Sequence, residues 1–209
     1  IRDSHEANRS FMLPGLDGLR AIAVLLVIVY HLWPTSVPGG MIGVDIFFVI
    51  SGYLITALLL REGAITGRIN LFLFWKRRAR RLLPAIALLI LVTGPIALAI
   101  GGDIQVNLGR QLTGAGTFSS NWLSIFSGND YFAQTSPELF TNFWSLAVEE
   151  QFYLFWPLLL VAAGVILGRR WRRFSLIIFI AIIASLTSGT VMLAFGAPIS
   201  RIYYGTDTH

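Results

Sequence analysis

Cysteine is absent from this sequence of 209 residues, so neither a disulfide framework nor a thiolate metal or redox site can form. Charge is scarce as well: 13% of the residues are Asp, Glu, Lys or Arg, against about 25% in a soluble globular domain. Lysine is almost missing, since Lys76 is the only one and the other fifteen of the sixteen basic residues are arginine. Residues 1–10 are polar and lack the short apolar core of a cleavable signal peptide. No internal repeat or low-complexity tract is evident. Apolar residues fill the space instead, with 55% hydrophobic residues and a mean hydropathy of +0.70. This balance argues against a soluble domain and predicts a membrane protein. The net charge of +5 comes from clustered arginines, which reads as membrane topology and not as nucleic acid binding.

Five windows have the length and apolarity of membrane spans: Leu16–Trp33, Met41–Leu60, Leu82–Ile100, Phe143–Leu167 and Phe174–Phe195. The expected fold is all-α, a polytopic transmembrane helical bundle with five to seven membrane helices in this chain. Arg61–Arg81 holds seven basic residues and one acid, and Arg169–Arg173 is nearly all arginine. Positive charge in short loops marks the cytoplasmic face. Both segments and the N-terminal segment 1–13 are therefore expected inside, with residues 14–209 as the membrane domain. Parity then requires an even number of crossings between Ile100 and Phe143. Leu108–Phe126 is only weakly apolar and could lie at the interface, form a re-entrant pair or cross once. A helix packed within the bundle is the expectation.

Arg20 and His31 stand eleven positions apart with an apolar run between them. On an α-helix eleven steps return to within roughly 20° of the starting direction and rise roughly 16 Å, so both side chains leave one face. Ionisable groups at such depth usually have a function or a partner. Imidazole can take a proton from a hydroxyl and pass it on, which acyl transfer to an alcohol requires. Guanidinium stays charged in a membrane and can fork onto an anion. Asp17 is placed to orient Arg20. The plainer alternative is that His31 sits in the outer interface beside Trp33 while Arg20 caps the cytoplasmic end.

Three further constellations stand out. Asp45 opens the second span, where it could face a wet cavity, whereas Ser51 and Gly52 read first as small residues that let helices approach. The run Lys76-Arg77-Arg78-Ala79-Arg80-Arg81 either grips a polyphosphate or only marks topology and touches anionic lipid. Within Trp144-Ser145-Leu146-Ala147-Val148-Glu149-Glu150-Gln151-Phe152-Tyr153, two carboxylates enter an apolar run. Neighbours on a helix point about 100° apart, so they cannot easily share one partner. Glu149 shares a face with Ser145, Tyr153 and Trp156. One glutamate is expected to neutralise Arg20 or a loop arginine, the other to touch the site, and the sequence leaves open which is which. No metal-ligand cluster is evident.

Taken in order, Pro14-Gly15-Leu16-Asp17-Gly18-Leu19-Arg20 with His31, Gly43-Val44-Asp45-Ile46-Phe47-Phe48 through Ser51-Gly52-Tyr53, Arg77-Arg78-Ala79-Arg80-Arg81-Leu82-Leu83-Pro84, the Trp144–Tyr153 run and Tyr204-Gly205-Thr206-Asp207-Thr208 resemble the acyltransferase 3 family of bacterial membrane O-acyltransferases. Members acylate extracytoplasmic glycans such as O-antigen in lipopolysaccharide, exopolysaccharide and peptidoglycan. The resemblance implies His31, Arg20, Glu149 and Glu150 as catalytic residues. It implies Arg77, Arg78, Arg80 and Arg81 as contacts of acyl-CoA, the co-substrate, with acetyl-CoA as the expected donor and no tightly bound cofactor. Asp17, Asp45, Ser51, Trp144, Ser145, Tyr153 and Asp207 become supporting residues. The implied partners are the lipid bilayer, acyl-CoA and a glycan or lipid-linked sugar, and the implied location is the bacterial inner membrane with the N-terminus cytoplasmic. Asn142 stands where many relatives have histidine, and His209 where arginine is common. The family's domain has more spans than this chain, so the sequence is expected to be its N-terminal half. Two alternatives remain from the residues: a proton- or anion-coupled transporter, and an inactive truncated family member.

Overall fold

The computed structural model describes residues 14–33, 36–128, 138–167, 183–184 and 187–208. All regular structure among them is helical, and the chain folds as two units, Ile1–Ile69 and Asn70–His209. In order come α1 (Pro14–Leu32), α2 (Ile42–Thr66), α3 (Leu71–Ile100), α4 (Leu108–Thr117), α5 (Ser120–Phe126), α6 (Phe143–Leu167) and α7 (Ile199–Tyr204). Four of these helices, α1, α2, α3 and α6, are long and apolar enough to cross a membrane. The expected span Phe174–Phe195 and the Arg169–Arg173 loop lie largely or wholly outside the described residues.

In the first unit, α1 and α2 form a close pair. The Trp33 carbonyl accepts the N–H groups of Ser36 (3.2 Å) and Val37 (3.1 Å), turning the chain, and a 3₁₀ turn over Pro38–Met41 leads into α2. Two glycines set the spacing. A Cβ added at Gly43 would fall on the Ala23 carbonyl and lie 2.9 Å from Val27 Cγ2, and one at Gly40 would lie 2.7 Å from Tyr30 Cβ. Ala23 is fully buried. Small residues permit this backbone approach, and such packing substitutes in lipid for the hydrophobic effect. α2 stops at Gly67, whose φ of 73° suits glycine and whose N–H closes onto Gly63.

The second unit begins with an Asn70 cap, its side chain accepting the Leu73 N–H at 3.0 Å. α3 then runs unbroken for 30 residues. This corrects the expectation of a loop through residue 81: only 67–70 separate α2 from α3, and the arginine run is helical. Arginine, alanine and leucine are good helix formers, and charge hides helicity from an apolarity search. At about 1.5 Å per residue α3 is roughly 45 Å long, well beyond a hydrocarbon core of about 30 Å.

After Gly101, α4 doubles back along α3. Leu112 faces Gly94, and Ala97, Leu108, Ala115 and Phe140 share one buried cluster. The expectation of a single packed helix over Leu108–Phe126 is also corrected. The helix breaks at Phe118, which adopts a left-handed conformation (φ 53°), and Ser119 N–H returns to the Gly114 carbonyl at 2.9 Å. Gly114, Gly116 and the Ser119-Ser120 pair are poor helix material and explain the break. Pieces of 10 and 7 residues are too short to cross.

Gly43→Val should lower unfolding stability by about 1–3 kcal/mol through overpacking of the α1–α2 seam. Gly18→Ala, where nothing lies within 4 Å of an added Cβ, should not destabilise. SDS-driven unfolding of the purified protein reads both.

Candidate active site

In the first unit Arg20 and His31 both lie on α1, unbroken between them. Residues 23, 26, 27 and 30 face Gly40 in the 3₁₀ turn and Gly43 in α2, so positions 20 and 31 flank that seam on one side, by about 100° per residue. Half-buried Arg20 places its guanidinium 5.3 Å from the centre of the Phe47 ring, a cation–π contact. His31 is exposed, and its Nδ1 lies 2.8 Å from the Val27 carbonyl. A carbonyl only accepts, so Nδ1 must donate, and in the neutral ring Nε2 then carries the lone pair. Tyr30 meets the imidazole edge-on at 5.6 Å. Asp17 and Asp45 are exposed, in the first turns of α1 and α2, and Ser51 is buried within α2.

The second unit brings the arginine run and the glutamate pair together. Arg78 grips Glu150 with Nε at 2.9 and 3.1 Å from the two carboxylate oxygens and Nη2 at 2.7 Å from Oε1. Its Cζ sits 3.1 Å from the centre of the Tyr153 ring, and Nη2 lies 3.9 Å from Glu149 Oε1. The Tyr153 hydroxyl donates to Glu149. One turn below, Trp75 Nε1 donates to the Tyr153 carbonyl at 3.1 Å. α3 and α6 are thus antiparallel at this point. Arg77, Arg80 and Arg81 are exposed.

Beside the glutamates, Gln151 organises a polar knot. Its Nε2 donates to the Phe118 carbonyl (2.8 Å) and to Asn121 Oδ1 (3.0 Å). Its Oε1 accepts from Trp122 Nε1 (3.1 Å) and Thr206 Oγ1 (2.5 Å). Asn121, fully buried, donates to the Tyr204 carbonyl (3.2 Å) and Thr206 Oγ1 (2.8 Å). Asp207 forks onto Arg201 at 3.1 and 3.0 Å, and that guanidinium lies 5.2 Å from the centre of the Trp122 ring. Trp144 is buried against Tyr203 and Tyr204, with ring centres 4.5 and 5.7 Å away. Ser145 closes the first turn of α6 by donating to the Asn142 carbonyl.

Comparison with known proteins gives the family. The model of the acyltransferase 3 domain matches residues 13–208. The chain belongs to this acyltransferase family. It is similar to the O-acetyltransferase OatA of Staphylococcus aureus strains NCTC 8325 and COL, at 44% identity over 198 residues in each case, covering 94% of this chain. The chain spans about a third of the length of these curated relatives, 32% in each. No solved structure matches it.

In this member of the family, sequence reading passed over Gln151, Asn121 and Thr206. The available signal was an uncharged amide next to two carboxylates in an apolar run, where every buried polar group must find partners. Gln151→Glu would set an oxygen against the Phe118 carbonyl and Asn121 Oδ1. It should cost about 1–3 kcal/mol of stability, measured by the same SDS unfolding, whereas Ser127→Ala, on an exposed hydroxyl, should cost little.

Proposed function

We propose that this chain is part of a membrane O-acyltransferase of the bacterial inner membrane, N-terminus in the cytoplasm. It transfers an acyl group, acetyl in our reading, from acyl-CoA to a hydroxyl of an extracytoplasmic glycan or lipid-linked sugar. Family membership and the O-acetyltransferase name of the relatives support the reaction class. The observation that carries the residue assignment is the Nδ1 contact of His31 with the Val27 carbonyl, on the same side of α1 as Arg20.

That contact orients Nε2 as the proton acceptor. His31 removes the proton of the acceptor hydroxyl as its oxygen attacks the thioester carbonyl. Arg20 steadies the negative charge gathering on the carbonyl oxygen. When the C–S bond breaks, the imidazolium returns the proton to the leaving thiolate, giving an ester and free CoA. Arg20 is suited to this because a guanidinium keeps its charge in a poorly solvated site. Within the first unit Asp17 and Asp45, in the opening turns of α1 and α2, support Arg20 and the α2 entrance. In the second unit Glu149, hydrogen-bonded by Tyr153, and the exposed arginines of α3 are the polar groups left to serve the donor.

Vesicles turned inside out and supplied with labelled acetyl-CoA test the reading. His31→Ala and Arg20→Ala should each lower label transfer to glycan by about 100-fold or more. Undiminished transfer in either variant would remove that residue's role, and label uptake without ester formation would favour a carrier.

A further inference from the structure

We propose that the arginine run of α3 is divided between two tasks. Arg78 is a positioning residue that holds the Glu149–Glu150 pair, and it takes no part in donor binding. Arg77, Arg80 and Arg81 form the face that binds the phosphates of the donor. The proposal rests on acyl-CoA being the donor.

Burial separates the four side chains. Arg77, Arg80 and Arg81 stand at i, i+3 and i+4, within about 100° of one another, and all three are exposed. Arg78 is turned about 100° from Arg77 but only about 60° from Arg81, and what sets it apart is that it is half-buried against α6. Its guanidinium has little left to offer an anion. The Nε–Nη2 edge is filled by the Glu150 carboxylate, with contacts of 2.7–3.1 Å, and one flat face is covered by Tyr153. A phosphate taking that fork would leave a half-buried carboxylate without its cation, an outcome more costly than the pair itself. The other three arginines carry no such burden. Like charges at this spacing repel one another, and a polyphosphate lying along the face would relieve that.

Arg78 also connects the acids to one another. Its Nη2 lies 3.9 Å from Glu149, and its plane stacks on Tyr153, the residue whose hydroxyl Glu149 accepts. Arg78 thereby forks onto one carboxylate and lies within ion-pair distance of the other, against the ring of the tyrosine that holds it. Lysine could supply the charge but neither the fork nor the stack.

The test uses the protein in membrane vesicles with labelled CoA as the binding probe and acetyl-CoA as substrate. Arg78→Gln should keep CoA affinity within about threefold of wild type yet lower kcat by about 100-fold, and Arg78→Lys should not restore it. Arg77→Gln, Arg80→Gln and Arg81→Gln combined should weaken CoA binding about tenfold or more. These losses should be equal in phosphatidylcholine and phosphatidylglycerol vesicles. A loss seen only as reduced phosphatidylglycerol enrichment around the protein would assign the face to lipid headgroups and overturn that half. Arg78→Glu and Glu150→Arg should each lower the SDS unfolding midpoint, and the double exchange should recover much of it. Loss of CoA affinity in Arg78→Gln to the same degree as in Arg77→Gln, or no recovery in the exchange, would overturn the positioning role. If wild-type vesicles bind no CoA, the donor reading fails with the phosphate face, and the exchange still decides the Arg78–Glu150 fork.

Discussion

Hydrocarbon offers nothing to a hydrogen bond, and this constraint governs the fold more than any single contact. Helices meet it internally. The places where helices stop have to be served by side chains. At the break after α4 the Phe118 carbonyl is taken by the Gln151 amide, and the Tyr204 carbonyl after α7 is taken by Asn121. The knot around Gln151 is thus the condition under which irregular backbone can lie inside this unit. The Asn70 side chain does the same at the start of α3, while at the end of α2 the Gly67 N–H itself closes onto the Gly63 carbonyl.

The near-absence of lysine has its counterpart in how the cations are housed. Arg20 lies over Phe47, Arg78 over Tyr153 and Arg201 over Trp122. A flat, weakly hydrated cation can leave water for an aromatic face and still fork onto a carboxylate, as Arg78 does with Glu150 and Arg201 with Asp207. An ammonium gives up more hydration and has no flat face to stack. Lys76, the one lysine, also lies near a ring, its Nζ 5.9 Å from the centre of Phe72, but an ammonium cannot add the fork that Arg78 and Arg201 make.

Much of this was legible in the sequence and some was not, for identifiable reasons. The long apolar windows predict α1, α2 and α6 closely because length and apolarity are what a bilayer selects. The pairing of Glu149 with Tyr153 follows from their i, i+4 spacing. The first turns of α3 escaped because five basic residues among 76–81 look like a loop when apolarity is the criterion. The break at Phe118 escaped because a left-handed aromatic residue has no local signature beyond its glycine and serine neighbours. Which arginine would meet a glutamate depends on the packing of α6 against α3, and a single chain of letters does not contain that directly.

The two bridges between α3 and α6, Trp75 to the Tyr153 carbonyl and Arg78 to Glu150, are three residues apart on each helix. Two fixed points determine both the rotation and the axial offset of one rod on another. Sliding by a single turn, about 5.4 Å, would break both at once. The α3–α6 pair is therefore built as a strut, in which rotation and axial offset cannot change one without the other.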